Sequence, residues 1–473
     1  MEQPRTTIRQ AVVIIHGIGE QRPMDTLRGF VDSVLPDPPD ESQLKFWAKP
    51  DRMSESFELR RFSARPLEGR PRTDFYEYYW AFHMRDTRLR HVLIWLLRLL
   101  LRNPARVPSR ILPVWVTAWA LLLLIGGLAL ASGMLGGGGF ALLSRYTANL
   151  SWLFGLLFSL FSTFLVNSLG DAARYMTPTP ENVAQRQRIR ADGVRLLRHL
   201  HTSGKYDRII VVGHSLGSVI AYDIITHLWT EYNKMHGRPD DFSQPYLKQL
   251  NAAIARLGDH PTPEQVEAFQ DFQHRLWLEQ RKMGNPWLVS DLITLGSPLT
   301  SAAFLLTQSE EELRARQREL AFPTCPPQPD PIDNQSYSFI LVPYYRNSAG
   351  ELRAVRVLHH AAQFACTRWT NFYYPGDFIG GPLAPVFGPG VRDVSLQLGG
   401  WKLRSYLPTT HTRYWRKRGV PRGKPFPEKE SIDRIVEAAD LRCTRWLGMV
   451  KDVPDAGLTA QSAVQEPPTG LAD

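Results

Sequence analysis

A β-branched run, Arg208-Ile209-Ile210-Val211-Val212, passes directly into Gly213-His214-Ser215-Leu216-Gly217 and then into a helical pattern over 216–230. A short apolar run closed by glycine reads as a strand buried on both faces. Such strands need helices above and below them, so they belong to parallel sheets with helical crossovers. The same order recurs near the start, where Ala11–Ile15 (AVVII) ends at His16-Gly17 and a helical pattern covers 24–35. The expected fold class is therefore α/β, with a mostly parallel sheet flanked by helices.

The rest of the chain supplies more pieces of that kind. Aromatic, strand-like segments lie at 56–63 and 75–83. A helix is expected over 180–202. Two more, at 245–257 and 263–283, form a helical insertion (232–286) that is either a cap over a site or a packed surface layer. The run 287–295 reads as the next strand and the Pro-rich 323–331 as a loop. A hairpin-like pair follows at 336–345 and 352–358, then a final helix over 428–447. The tail, 451–473, is polar and small enough to stay disordered. These readings divide the chain into a core in two parts, 1–83 and 177–450, around an insertion at 84–176.

That insertion carries the sharpest shift in composition. No charged residue occurs from Ile111 to Ser144, nor from Tyr146 to Gly170. A helix of about 20 apolar residues can cross a bilayer, so spans are expected at about 111–134 and 148–169. Arginines crowd the outer flanks, from Arg85 to Arg110 and from Arg174 to Arg190, while the connecting turn has Arg145 alone. By the positive-inside rule both flanks, both termini and the remaining domain would then be cytoplasmic. The chain of 473 residues has a formal charge of +10 and a pI near 9.5. That excess suits an anionic bilayer better than nucleic acid, because no zinc-finger, RNA-binding or DNA-reading pattern accompanies it. The three cysteines, Cys325, Cys366 and Cys443, are too few and too scattered for a disulfide framework or a metal cluster.

Gly213-His214-Ser215-Leu216-Gly217 fits G-x-S-x-G in the strand–turn–helix setting that exposes a nucleophilic serine. An acyl-transfer site also needs backbone donors for an oxyanion. Leu216, after the serine, and Ile18, in the loop His16-Gly17-Ile18-Gly19-Glu20-Gln21, are the candidate donors. Gly17, Gly19, His214 and Ser297 are candidate substrate-binding positions. A triad on such an elbow runs serine, acid, histidine along the chain. Asp377, on a turn after the aromatic run 371–374, is the best acid; if it serves, His411 is left as the base. Asp330 and Asp333 compete as acids and would admit His359 or His360. Neither a cofactor nor a metal is needed for this chemistry.

HGIGEQ, GHSLGSVIAYD, TLGSPL, NFYYPGD and HTRYW, in that order, resemble the α/β-hydrolase superfamily. NFYYPGD and HTRYW, together with GHSLGS, are also similar to segments of intracellular phospholipases of the DDHD type and of bacterial lipase-like hydrolases. The likeness covers residues 11–21, 208–224, 291–300 and 369–415. It implies an α/β-hydrolase fold and hydrolysis of a lipid or other acyl ester by Ser215, Asp377 and His411. An acyltransferase or thioesterase would use the same triad, and an inactive membrane scaffold would merely retain it.

Overall fold

The computed structural model describes residues 8–17, 22–38, 40, 42–67, 70–84, 101, 104, 112, 115–117, 119–120, 123, 175, 180–237, 243–332, 336–347, 349–399, 402–406, 408–415 and 427–441. Ten strands occur among them: β1 (Arg9–Ile15), β2 (Phe46–Pro50), β3 (Arg60–Ala64), β4 (Arg72–Tyr78), β5 (Arg208–His214), β6 (Val289–Leu295), β7 (Ser338–Arg346), β8 (Leu352–Leu358), β9 (Arg368–Tyr373) and β10 (Arg392–Ser395). Eight of them form one sheet in the order β10-β9-β6-β5-β1-β4-β3-β2. From β10 to β4 every pairing is parallel, whereas β3 runs antiparallel to both β4 and β2. β7 and β8 make a separate antiparallel hairpin, as the sequence predicts.

The sheet is covered on both faces, and the sequence of β1 shows why. Ala11, Val13 and Ile15 enter one apolar cluster while Val12 and Ile14 enter the other. Successive side chains on a strand point to opposite faces, so a continuous apolar run needs two apolar layers. One layer comes from α2 (Pro180–Thr202) and α3 (Leu216–Tyr232), through residues such as Leu197, Val219 and Ile224. The other comes from α1 (Asp25–Val34), through Leu27, Phe30 and Val31. Two carboxylates hold helix starts from below. Glu77 of β4 accepts from Met24 N–H at 2.6 Å, just ahead of α1.

Glu279 does the same for α4 (Pro245–Leu257), accepting from Tyr246 and Leu247 N–H at 2.7 and 2.9 Å. It lies on α5 (Pro263–Lys282), whose own start is a capping box of Thr262 and Gln265 with Pro263 in the first turn. Trp277 and Leu276 of α5 join the main core, and Gln273 donates to Phe364 O at 2.6 Å. Of the two readings of 232–286, the described residues are thus a packed layer beside β9. The last helix, α6 (Lys429–Ala438), is shorter than the 428–447 expected; residues beyond 441 lie outside those described. Strand β2 was not legible because it is an exposed edge without alternating apolar residues.

The expectation of two membrane spans is corrected. Among the described residues no helix is long and apolar enough to cross a membrane. The longest, α2, carries charges at Glu181, Arg186, Arg188, Arg190, Asp192, Arg195 and Arg198, and the apolar α3 has 17 residues spent on the core. The stretches 111–134 and 148–169 lie, but for a few residues, outside those described. An uncharged stretch is required for a span but does not make one, since it is equally served by an apolar protein interior. The two-span topology and its cytoplasmic assignment, both read from that composition, fall with the spans.

Candidate active site

The carboxyl ends of the parallel strands collect the candidate residues. Gly17 follows β1, Ser215 follows β5, Ser297 follows β6 and Asp377 follows β9. This is the edge where open α/β sheets hold ligands. Ser215 stands at the turn from β5 into α3 with φ 52° and ψ −129°, a left-handed backbone unusual for a residue with a side chain. Two glycines permit that turn: a Cβ on Gly213 would fall 2.5 Å from Ser218 Cα, and one on Gly217 would strike the carbonyl of Ile15. Ser218 Oγ braces the turn from within, 2.6 Å from both Ser215 O and Ser297 Oγ; its one hydrogen goes to the carbonyl, so it accepts from the Ser297 hydroxyl.

His411 reaches Ser215 from a different part of the chain. Its Nε2 lies 2.9 Å from Ser215 Oγ. Its Nδ1 lies 3.0 and 2.9 Å from the two carboxylate oxygens of Asp377. An ionised carboxylate only accepts, so the imidazole proton sits on Nδ1 and the Nε2 lone pair faces the hydroxyl. Burial alone would raise the Asp377 carboxyl. The charge of His411 and hydrogen bonds from His411, Gly380 N–H and Tyr414 outweigh burial and hold it well below the usual carboxylate range. Asp377 is therefore an anion at neutral pH.

Comparison with protein-family models, with curated proteins and with solved structures finds no match to this chain. What the site can do rests on its own geometry.

The other expected positions fall as follows. Leu216 is the first residue of α3, where the amide has no acceptor within the helix and stands next to the serine. Gly17 presses against the elbow: a Cβ there would lie 2.8 Å from Ser215 Cβ and 3.0 Å from His214 Nδ1. Ile18 and Gly19 lie outside the described residues. His214 is half-buried; its Nε2 donates to the carbonyl of His411 at 2.9 Å, and its ring meets Trp415 edge-on at 4.8 Å. Ser297 is fully buried beneath the elbow. The competing acid–base pairs are not assembled in this way. His359 Nε2 donates to Gln328 O and its Nδ1 accepts from Ala361 N–H, so both ring nitrogens serve the backbone. Asp330 accepts from Ile332 N–H in its own turn, and Asp333 lies outside the described residues.

Two imidazoles flank the triad without carrying charge. Burial pushes His16 down to about 4, and burial together with the nearby His411 charge pushes His214 down to about 3. His16 stacks on Trp80 with ring centroids 5.0 Å apart. The residue sequence reasoning missed is Tyr414, whose hydroxyl lies 2.7 Å from Asp377 Oδ2. Its signal was present three positions after His411, within the segment HTRYW. Among the described residues no group of three or more His, Cys, Asp or Glu side chains could hold a metal ion. A cavity of about 1250 Å³ lies by β10 and is lined by Asp259, Arg314, Arg392 and Glu437 with no triad member, so it is separate from the triad.

Proposed function

We propose that this chain is a serine hydrolase of the α/β-hydrolase fold that cleaves an acyl ester through a covalent acyl-enzyme. The observation that carries the reading is the single imidazole bridging Ser215 and Asp377, with Nε2 2.9 Å from Oγ and Nδ1 2.9 Å from the carboxylate. The mostly parallel sheet with the nucleophile after a central strand supports the fold assignment.

In this reading His411 takes the Ser215 proton as Oγ attacks the ester carbonyl. Asp377 keeps Nδ1–H in place and offsets the imidazolium charge. The Leu216 amide donates to the oxyanion. His411 then returns the proton to the leaving alcohol, and water attacks the acyl-enzyme by the same route. The motif likeness adds a lipid acyl ester as the substrate class.

The test uses the purified full chain with a fluorophosphonate probe and a panel of acyl esters, from short soluble esters to acylglycerols and phospholipids. Stoichiometric labelling of wild type, none of Ser215→Ala, and turnover of at least one ester is the expected result. A folded wild-type protein that resists the probe and turns over no ester would overturn the reading.

A further inference from the structure

Asp377 spends its charge on more than the base. Beyond His411, Ile379 and Gly380 N–H donate to Oδ1 at 2.9 and 3.0 Å, and Tyr414 stands 2.7 Å from Oδ2. Tyr414 is the one of these donors that shares a loop with the base. The direction of its hydroxyl follows from its neighbours. The phenol oxygen accepts from Tyr374 N–H at 3.4 Å, and the carboxylate can only accept, so the hydroxyl hydrogen points at Asp377. Tyr414 is 1% exposed, which keeps water from replacing it.

We propose that Tyr414 is a positioning residue of the triad, which shares the Asp377 carboxylate with His411 and thereby limits how much of that charge reaches the imidazole. The inference rests on the triad reading above. A carboxylate bonded by several donors is a weaker base and a weaker partner for an imidazolium. Removing the phenol concentrates the charge on His411, so the base should hold its proton to higher pH while losing a constraint on its orientation. The titratable groups facing the pair are His214 on the elbow, His16 after β1, and Tyr374 and Tyr414. Burial holds both imidazoles neutral near pH 7 and raises both phenols, so none of them changes charge where His411 would act.

The experiment compares wild type, Tyr414→Phe and a protein carrying a monofluorinated tyrosine at position 414, a stronger donor of nearly the same shape. The acid limb of kcat/KM should move up by about half to one pH unit in Tyr414→Phe, and kcat should fall about tenfold with little change in KM. With the fluorinated residue the limb should move down. In an Asp377→Asn background Tyr414→Phe should add little further loss, since the phenol acts through that carboxylate. Unmoved limbs in both variants, or full multiplicative losses in the double variant, would overturn the proposal; a purely structural tyrosine would give that pattern. If Tyr414→Phe does not fold, the fluorinated protein decides alone. Titration of the His411 ring followed by NMR requires no substrate. An absence of turnover in wild type would thus count against the hydrolase reading, while an unshifted His411 titration would count against the role of Tyr414.

Discussion

His214 and His411 are joined by a 2.9 Å hydrogen bond, from the side chain of one to the main-chain oxygen of the other, across 197 positions of sequence. The residue before the nucleophile thus holds the loop that carries the base. The carbonyl only accepts, so His214 keeps its proton on Nε2, and burial keeps the ring neutral well below pH 6. His214→Ala should loosen the approach of His411 to Ser215 and lower kcat by about 10- to 100-fold. His214→Gln, which retains a donor, should recover much of the loss. Steady-state kinetics on both variants checks this; equal losses in the two would show that the ring itself, not its hydrogen bond, is what matters.

Ser215→Ala and His411→Ala should each remove nearly all turnover, and Asp377→Asn about 10⁴-fold of it, as in other enzymes with this arrangement. The double variant Ser215→Ala/His411→Ala should be no worse than Ser215→Ala alone, because the residues act as one unit. Single-turnover measurements with an activated ester provide the comparison. A near-normal Asp377→Asn enzyme would exclude Asp377 as the acid.

Gly17→Ala tests the close approach of the first loop to the elbow. The new Cβ would sit 2.8 Å from Ser215 Cβ, closer than real side chains pack, and both neighbours are backbone-anchored. The loop must move away from the nucleophile. The expected outcome is a loss of at least about 10-fold in kcat with the thermal midpoint lowered by only a few degrees. Unchanged turnover would mean that the loop has no part in the reaction.

Glu77 has a distinct pH signature. Burial pushes its carboxyl up to about 7, against the hydrogen bond from Met24 N–H. An acid whose folded value lies above its unfolded value binds more protons in the folded state between the two. Stability from this group is therefore present below about pH 4.5 and is lost as pH rises toward 7. Glu77→Gln keeps an acceptor without the charge. Relative to wild type it should gain stability from pH 5 to 8, by on the order of 1–3 kcal/mol at the upper end. Urea midpoints at several pH values measure the gain; a difference that stays flat with pH would show that Glu77 titrates normally.

Acid should act in the opposite sense through the buried histidines. His16, His201 and His214 are pushed down to about 4, 3 and 3, chiefly by burial. Each binds a proton in the unfolded chain below about pH 6.5 but not in the folded one, so each withdraws stability as pH falls from there toward its folded value. Protonation of Glu77 and Glu279 works against this between about pH 7 and 4.5. The steep loss should therefore begin below about pH 4.5, where the histidines still titrate between the states and are joined by carboxyls held low in the fold, Asp377 and Asp291 among them. A pH series of thermal midpoints with a shoulder above pH 5 and a sharp fall below it is the expected curve; a steady decline from pH 7 would contradict it.

Much of the architecture was legible because its signals are local. The runs at 11–15 and 208–212 are strands since no other element of that length buries every side chain. Helix α4 begins and ends where the sequence predicts, at Pro245 and Leu257, and α5 starts at the Thr262–Gln265 box. Chain order and the turn after 371–374 favoured Asp377 and His411 as partners for Ser215 but left Asp330 and Asp333, with His359 or His360, as competitors; the hydrogen bonds of His411 to Ser215 and Asp377 separate them. Local composition failed at 111–170. It measures a segment's aversion to water, not which apolar surroundings receive it, and no described helix meets the requirement for a span.

What tertiary structure alone decided is how separate segments meet. The bond from His214 to the main chain of His411, the phenol of Tyr414 on Asp377 and the burial of Ser297 under the elbow each join residues from different strands or loops. No periodicity or motif encodes such contacts, because they depend on the order of strands in the sheet, which brings β5, β6 and β9 side by side although long stretches of chain separate them. The shifted acids and imidazoles have the same origin. A carboxyl or a ring titrates according to the water, charges and donors around it in three dimensions, and the amino-acid sequence determines those only by way of the fold.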